Sequence, residues 1–332
     1  MSLIVAHAET GSGHPPLRSR APGPCRLRER SPSPGCARPL LASLATPRAR
    51  PGPAVRRALE YRCSVPEGHT IHRLAVRHRE LFAGQVVAVG SPQGRFAAGA
   101  KLLSGRKLVD TEAYGKHLLH HFDDESTLHI HLGLYGKFAD GDLPAPPPVG
   151  QLRMVMTGAR HWLELRGPTA CEVLDPATVG LLRARLGQDP LRDDADPRLA
   201  YARVAASAKP LFALLLDQTV VAGCGLIYAN EVLFRAGLAP TTPGRSVGVQ
   251  CWGDLWDDLR ALMKEGVARG RIDTVHTAHT PEAMRRAPRV DRHGGEVYVY
   301  RRPGQPCLVC GTEISRGPLA GRNLYWCGTC QP

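Results

Sequence analysis

The sequence predicts an α+β protein: an antiparallel β-sandwich with an N-terminal helix, then a helical region, then a terminal β-hairpin. Between residues 66 and 187, short β-rich runs such as "QVVAVG", "LRMVMTG" and "HWLELRG" alternate with turn residues. Between residues 188 and 296 the apolar spacing becomes helical. Residues 297–332 contain four clustered cysteines, which need a compact hairpin to bring them together.

The first 65 residues are expected to be a leader outside the folded protein. This segment is rich in Arg, Pro, Ala and Gly, and its ten prolines among residues 1–64 break any long element. Three interpretations are open: a disordered basic arm, a transit-like processed segment, or upstream GC-rich gene that is not translated. The absence of lysine beside eleven arginines favours the last interpretation, because GC-rich codons encode such text.

The net charge favours a protein that binds a polyanion, and the hydropathy argues against a membrane-spanning protein. The net charge is +13, of which the first 64 residues carry +8, so the body is only mildly basic. A basic balance indicates a polyanionic partner, most simply nucleic acid. No run of eighteen apolar residues occurs, so no membrane span is predicted. We expect a monomer in a reducing cytosol, without a small-molecule cofactor.

The folded region begins with "PEGHTIHRLAVRHRELFAG", whose apolar spacing predicts a helix that ends near Gly84. Short strands follow, and "GDLPAPPPVG" predicts a surface loop between two of them. Further along, "PRLAYARVAAS", "KPLFALLLDQ", "LIYANEVLFRAG" and "GDLWDDLRALMKEGVARG" predict helices. Gly223 and Gly225 lie in the turn between the second and third of these. Such a turn either packs two helices together or brings backbone N–H groups near an anion.

The terminal cysteines predict a structural zinc site. Cys307 and Cys310 form one Cys-x2-Cys pair, and Cys327 and Cys330 form another after a sixteen-residue spacer. Four thiolates complete the tetrahedral coordination of one Zn²⁺ and leave no open position for water. Arg322 lies in the spacer, where a hairpin tip would expose its guanidinium.

Four motifs in this order resemble the formamidopyrimidine-DNA glycosylase/endonuclease VIII family of bacterial base-excision repair enzymes. They are "PEGHT", "YGKHLL", "LLLDQTVVAGCGLIYANE" and the four-cysteine finger preceded by Arg322. The resemblance covers residues 66–332. It implies a catalytic β-sandwich domain over 66–187, a helix–two-turns–helix DNA-binding domain over 188–296 and a zinc finger over 297–332. It also implies an enzyme at the bacterial nucleoid whose partner is damaged DNA.

The resemblance gives Pro66 the role of nucleophile, because family members begin with a proline whose free secondary amine attacks the sugar. Val65 stands where the initiator Met belongs. A GTG codon encodes Val inside a gene, but bacteria also use it as a start codon, where it is read as Met. We therefore expect the active chain to begin at Pro66. Glu67 then corresponds to the family's acid/base carboxylate, although a glutamate there also suits a helix N-terminus. Lys116 corresponds to the hairpin lysine that contacts a phosphate and assists catalysis.

The remaining family roles concern DNA binding. Leu134 and Tyr135 match the wedge that fills the gap left by an extruded base, but both also suit a packed strand end. Gly223, Gly225 and Arg322 match the backbone-binding elements of the family. His129 and His131 alternate like metal ligands, yet we assign no metal to them and expect a pair in the sheet or cleft.

The sequence departs from the family motif at one position, and its motifs also bear on the choice of substrate. The family has Asn in "G-x-G-N-I-Y", where this chain has Leu226, which can neither donate nor accept a hydrogen bond. "PEGHT" and "LYG" favour an endonuclease VIII-like enzyme that excises oxidised pyrimidines and nicks the strand by β- and δ-elimination. Two alternatives are a formamidopyrimidine/8-oxoguanine glycosylase and a zinc-finger DNA-binding protein without catalysis.

Overall fold

The computed structural model describes residues 59–60, 66–291 and 295–332. The expected leader lies outside the described residues except for β1 (Leu59–Glu60), a two-residue strand that pairs antiparallel with residues 139–140. Within the described part of the chain, no helix combines the length and the hydropathy that a bilayer crossing needs.

The first helix, α1 (Gly68–Phe82), forms where the sequence predicts it. Its buried face includes Ile71, Leu74 and Leu81, which repeat at helical spacing and belong to the core of the sandwich. The residue at its N-cap is Glu67, and the Glu67 side chain makes no capping hydrogen bond to α1. That carboxylate is therefore available to another part of the molecule.

Two antiparallel sheets form the predicted β-sandwich. The remaining strands are β2 (Ala88–Gly90), β3 (Leu108–Tyr114), β4 (His117–Phe122), β5 (Thr127–His131), β6 (Lys137–Asp142), β7 (Leu152–Thr157), β8 (His161–Arg166) and β9 (Ala170–Leu174). One sheet has the order β1–β6–β8–β7–β2 and the other β3–β4–β5–β9. Their shared apolar core includes Phe82, Leu118, Phe138 and Met154. The predicted loop "GDLPAPPPVG" connects β6 to β7.

In the described residues, seven further α-helices accompany the sheets. They are α2 (Ala97–Leu103), α3 (Pro176–Arg185), α4 (Pro197–Ala205), α5 (Leu211–Leu216), α6 (Leu226–Arg235), α7 (Val249–Arg269) and α8 (Pro281–Met284). The four predicted helices correspond to α4 to α7. Helix α3 was not predicted from the sequence, although Asp175 accepts a hydrogen bond from the Thr178 N–H and Pro176 follows at the first helical position.

The chain ends in a hairpin of β10 (Ser315–Leu319) and β11 (Arg322–Trp326). The hairpin packs on the helical core, which includes Trp252 and Trp256 of α7 together with Leu324 and Tyr325 of β11. The fold class predicted from the sequence is confirmed. The domain division at residues 187/188 and 296/297 stays a prediction.

Candidate functional site

Three separate segments of the chain meet at glycines beside Pro66, which is itself buried. The Gly68 N–H donates to the carbonyl of Gly223 at 2.8 Å. A Cβ on Gly115 would lie 3.0 Å from the Ala222 side chain and 3.1 Å from the Gly223 nitrogen. Only glycine allows backbones to approach this closely. The N-terminal turn, the β3–β4 turn and the α5–α6 turn therefore form one wall.

Glu67 occupies the N-terminus of α6. Its buried carboxylate accepts a hydrogen bond from the Ile227 N–H at 2.8 Å, and a Cβ on Gly225 would lie 2.7 Å from its Oε1 atom. Burial raises the pKa of Glu67, and the Lys116 charge and the α6 N–H groups offset part of that rise. Glu67 does lie at a helix N-terminus, but its carboxylate caps α6 and not α1, the helix that follows it in the sequence.

Lys116 lies in the β3–β4 turn and is half-buried. Its positive charge lowers the pKa of both Glu67 and His131. Buried Asp189 holds this turn, because it accepts from the Gly115 N–H at 2.7 Å and contacts His72 Nε2 at 2.8 Å. Asp189 was not predicted from the sequence. Its only sequence signal is a carboxylate in a loop, which is too common to single it out.

The glycine turn already has protein partners for its N–H groups. The Gly223 N–H donates to Gln218 Oε1 at 2.9 Å, and the first N–H groups of α6 bond to Glu67. The anion at this helix N-terminus is thus a side chain of the protein. Leu226 is the first residue of α6 and is partly exposed.

The loop between β5 and β6 carries Leu134 and Tyr135 away from the core. Leu134 is 62% exposed and Tyr135 is 85% exposed, so neither packs inside the sandwich. Such exposure of two large apolar side chains on one loop indicates a contact surface.

Of the two candidate histidines, His129 forms a hydrogen bond with His117, and His131 lies beside the His117 ring. The Nδ1 atom of His117 lies 2.8 Å from Nε2 of His129, and Nδ1 of His129 lies 2.9 Å from a carboxylate oxygen of Glu172. His131 lies opposite His117 in the β4–β5 pair, with 5.0 Å between ring centroids. His117 and Glu172 were not predicted from the sequence.

The four terminal cysteines have the geometry of a zinc site. Their sulfur atoms all lie within 4.8 Å of one another, with 3.8 Å between Cys307 and Cys330 and 3.4 Å between Cys310 and Cys327. A tetrahedron with Zn–S bonds of about 2.3 Å has edges of about 3.8 Å, so the site fits one zinc ion. Each Cys-x2-Cys pair supplies two ligands, as predicted.

Arg322 begins β11, directly after the Ala320–Gly321 turn of the hairpin. Arg322 is exposed. Within the described part of the chain, its guanidinium makes no hydrogen bond or ion pair. The structure therefore exposes this cation at the hairpin tip, as the spacing predicts.

Two buried polar residues of α6, neither of them predicted from the sequence, attach the C-terminal region to this helix. Asn230 accepts from the Tyr325 N–H at 2.7 Å, which ties β11 to α6. Glu231 accepts from the N–H groups of Tyr298 and Tyr300 at 2.6 and 2.7 Å. The signal was the pair "NE" inside an otherwise apolar helix, because buried polar groups need such partners.

The comparisons with known proteins agree with this arrangement. The family model for the formamidopyrimidine-DNA glycosylase N-terminal domain matches residues 53–171, and that for the corresponding H2TH domain matches residues 186–277. A zinc-finger model, described as found in FPG and IleRS, matches residues 304–332.

Relatives match over most of their length. Endonuclease 8 1 of Mycobacterium tuberculosis is 48% identical over 274 residues, covering 80% of this chain and 100% of the relative. The formamidopyrimidine-DNA glycosylase of Thermus thermophilus is 32% identical, covering 80% and 97%. A solved Lactococcus lactis Fpg in complex with abasic-site DNA has the same fold, with a TM-score of 0.66 at 23% identity over 80% and 99% of the two chains. The chain therefore belongs to the formamidopyrimidine-DNA glycosylase/endonuclease 8 family, whose members are DNA glycosylases and also abasic-site lyases.

Proposed function

We propose that the protein excises oxidised pyrimidines from DNA and then cuts the strand, with the nitrogen of Pro66 as the nucleophile. The observation that carries this proposal is Glu67: a fully buried carboxylate, next to Pro66, that is held on the α6 N-terminus within the field of Lys116. Burial at a helix terminus beside a cation is a common environment for a catalytic acid/base group.

In the first steps, the bond from the sugar C1′ to the base is replaced by a bond from C1′ to the Pro66 nitrogen. An α-amino group has a pKa near 8, so a fraction of it is neutral and nucleophilic at pH 7. The Pro66 nitrogen forms a bond to C1′ as the bond to the damaged base breaks. The proton that the nitrogen then loses balances the proton that the departing base takes up, so the base leaves neutral. Opening of the C1′–O4′ bond gives an iminium, and Glu67 donates the proton that O4′ takes up.

The iminium makes the C2′ proton acidic. Its removal breaks the C3′–O bond and releases the 3′ phosphate in a β-elimination, and a second elimination breaks the C5′–O bond. We assign these proton transfers to Glu67, because its raised pKa supports a role as acid or base closer to neutrality. Zinc takes no part in these steps, because its four thiolate ligands leave no open position.

Lys116 and Arg322 supply cations for the DNA phosphates. The buried turn of Gly223 and Gly225 supports this surface from within, because its N–H group and those of α6 already bond to Gln218 and Glu67. Leu134 and Tyr135 are exposed on one loop and fill the gap in the duplex when the damaged base leaves the stack. We further propose that the protein acts as a monomer in the bacterial cytoplasm, on nucleoid DNA.

The choice of lesion rests on the relatives. The 48% identical relative is an endonuclease 8, which supports oxidised pyrimidines as substrates. The alternative, formamidopyrimidine or 8-oxoguanine, has support from the Thermus thermophilus relative and from a solved complex with carbocyclic 8-oxo-G DNA. Excision assays on thymine glycol and on 8-oxoguanine opposite cytosine separate the two.

The free nitrogen is the decisive requirement, and borohydride trapping tests it. A chain that begins at Pro66 should form a covalent adduct with abasic DNA when borohydride reduces the iminium. The 332-residue chain has Pro66 in a peptide bond, and it should form none. Mass spectrometry of the native protein should find Pro66 at the N-terminus. An adduct on the uncleaved chain contradicts the free-amine mechanism, whereas zinc-dependent binding without any adduct supports a non-catalytic DNA-binding protein.

A further inference from the structure

A row of polar side chains crosses one face of the β4–β5–β9 sheet beside the catalytic wall. His117 on β4 lies opposite His131 on β5, and His129 on β5 lies opposite Glu172 on β9. Hydrogen-bond distances of 2.8 and 2.9 Å connect His117 to His129 and His129 to Glu172. This row is not needed for the chemistry described above.

The row is held together through both ring nitrogens of His129. The Glu172 carboxylate only accepts, so the Nδ1–H of His129 donates to it. The Nε2 atom of His129 shares a hydrogen bond with Nδ1 of His117. The hydrogen bonds therefore hold the ring of His117 in one orientation, 5.0 Å from the ring of His131.

His131 in turn contacts the loop that carries the exposed apolar pair. The Gly133 N–H donates to Nδ1 of His131 at 3.2 Å. The Gly133 backbone has φ +63°, and a Cβ there would lie 1.9 Å from Thr169 Oγ1, so the chain is closely confined at this point. The next two residues are Leu134 and Tyr135. The base of their loop is thus hydrogen-bonded to an imidazole nitrogen that can also be protonated.

We propose that His131 is a positioning residue for the Leu134–Tyr135 loop, and that it holds this loop only while its ring is neutral. An imidazolium carries hydrogen on both nitrogens and cannot accept the Gly133 N–H. Protonation therefore removes the hydrogen bond at the base of the loop. The use of the loop in DNA rests on the proposed function, whereas the hydrogen bond is a property of the protein alone.

The surroundings of His131 keep the ring neutral near pH 7. The titratable and charged groups around it and its partners are His129, Lys116, His117, Glu172 and Arg185. Burial lowers the pKa of His131, and His129 and Lys116 lower it further. Because the pKa lies below its usual range, the hydrogen bond persists at neutral pH and is lost as the pH falls through the lowered pKa.

The hydrogen bond can be tested in the zinc-loaded 332-residue protein by NMR with glycine-selective ¹⁵N labelling. The Gly133 amide shift should follow the titration of His131. In His131→Asn, the side-chain oxygen takes the place of Nδ1 and does not titrate, so the Gly133 shift should stay constant with pH. In His131→Phe, the amide should have its acid-form shift at every pH. His161→Asn, on β8 beside Asp142, is the matched control and should leave the Gly133 titration unchanged.

Loop insertion can be measured without catalysis. A duplex with a tetrahydrofuran abasic analogue opposite 2-aminopurine should fluoresce more when the loop enters the gap. For the wild type, this signal should fall about threefold or more as the pH drops from neutrality through the lowered His131 pKa that the Gly133 amide titration locates; for His131→Asn it should persist, and for His131→Phe it should be low throughout. A wild-type signal in His131→Phe, or a Gly133 amide that ignores His131, overturns the proposal. Neither result depends on the Pro66 nitrogen, so failure of the glycosylase chemistry remains distinguishable.

Discussion

Glu67 shows how one side chain joins two parts of the molecule. It follows Pro66 at the start of α1, yet its carboxylate binds the N–H groups at the start of α6. The α6 N–H groups and Lys116 stabilise the charged form, while complete burial opposes it. The result is a carboxyl group whose proton affinity is higher than usual and whose position is fixed by backbone groups.

Replacement of Glu67 by Gln should abolish catalysis without unfolding the protein. The amide oxygen still accepts the Ile227 N–H, but the side chain no longer transfers protons. In a chain that begins at Pro66, we expect single-turnover base release to fall by about 10²–10⁴-fold. Glu80→Gln, at an exposed position of α1, is the matched control and should retain wild-type rates. Rapid base release by E67Q would remove Glu67 from the mechanism.

The raised pKa of Glu67 also predicts a pH dependence of stability. Because burial makes the folded state hold this proton more tightly than the unfolded state, the free energy of unfolding decreases as the pH rises from the unfolded pKa through the higher folded pKa. Above that window the contribution is constant. Chemical denaturation across this range should show the stability of E67Q relative to wild type increasing with pH. A difference that stays constant with pH contradicts the raised pKa.

At the scale of elements, α6 organises both the catalytic wall and the terminal hairpin. Its N-terminus binds Glu67, and Asn230 one turn later binds the Tyr325 N–H of β11. The apolar spacing predicted α6 itself, because a helical period is a local property of the chain. It did not predict these two contacts, because their partners lie 160 and 95 residues away in the sequence.

The start of α6 is also where the sequence departs from its family. Leu226 cannot form the phosphate contact that the resemblance assigns to Asn at this position. We expect Leu226→Asn to tighten binding to abasic-analogue DNA by about tenfold, the equivalent of roughly 1.4 kcal/mol, which is within reach of a single charge-assisted hydrogen bond. Fluorescence anisotropy measures the change, with the exposed Leu199→Asn of α4 as the matched control. Equal affinities for L226N and wild type would show that the position no longer faces a phosphate.

At the scale of the whole molecule, the zinc finger is part of the helical core. Leu324, Tyr325 and Cys327 are buried together with Trp252 and Trp256 of α7. The β-sandwich has its own core, which includes Phe138 and Met154. Loss of the metal should therefore weaken the helical region more than the sandwich.

Removal of zinc with a chelator should lower the melting temperature and weaken DNA binding together. One zinc ion per chain should be released, and each kcal/mol of lost stability should lower the melting temperature by about 2–4 °C in a protein of this size. Arg322 depends on the same hairpin, so affinity for DNA should fall in parallel. Added zinc should restore both. A chelated protein with unchanged melting and affinity would contradict the coupling of the finger to the helical core.

The sequence by itself determined the local features of this protein: the helical and β-rich segments, the cysteine spacing of the metal site, and the order of motifs that identifies the family. Each of these depends on residues close together along the chain, where periodicity, turn chemistry and ligand spacing act. Only the tertiary structure decided that Glu67 caps α6, that Asp189 holds the Lys116 turn, and that His131 binds the base of the Leu134–Tyr135 loop. These contacts join segments that meet after folding or depend on the ring orientation and backbone geometry that packing imposes, and no local pattern records them.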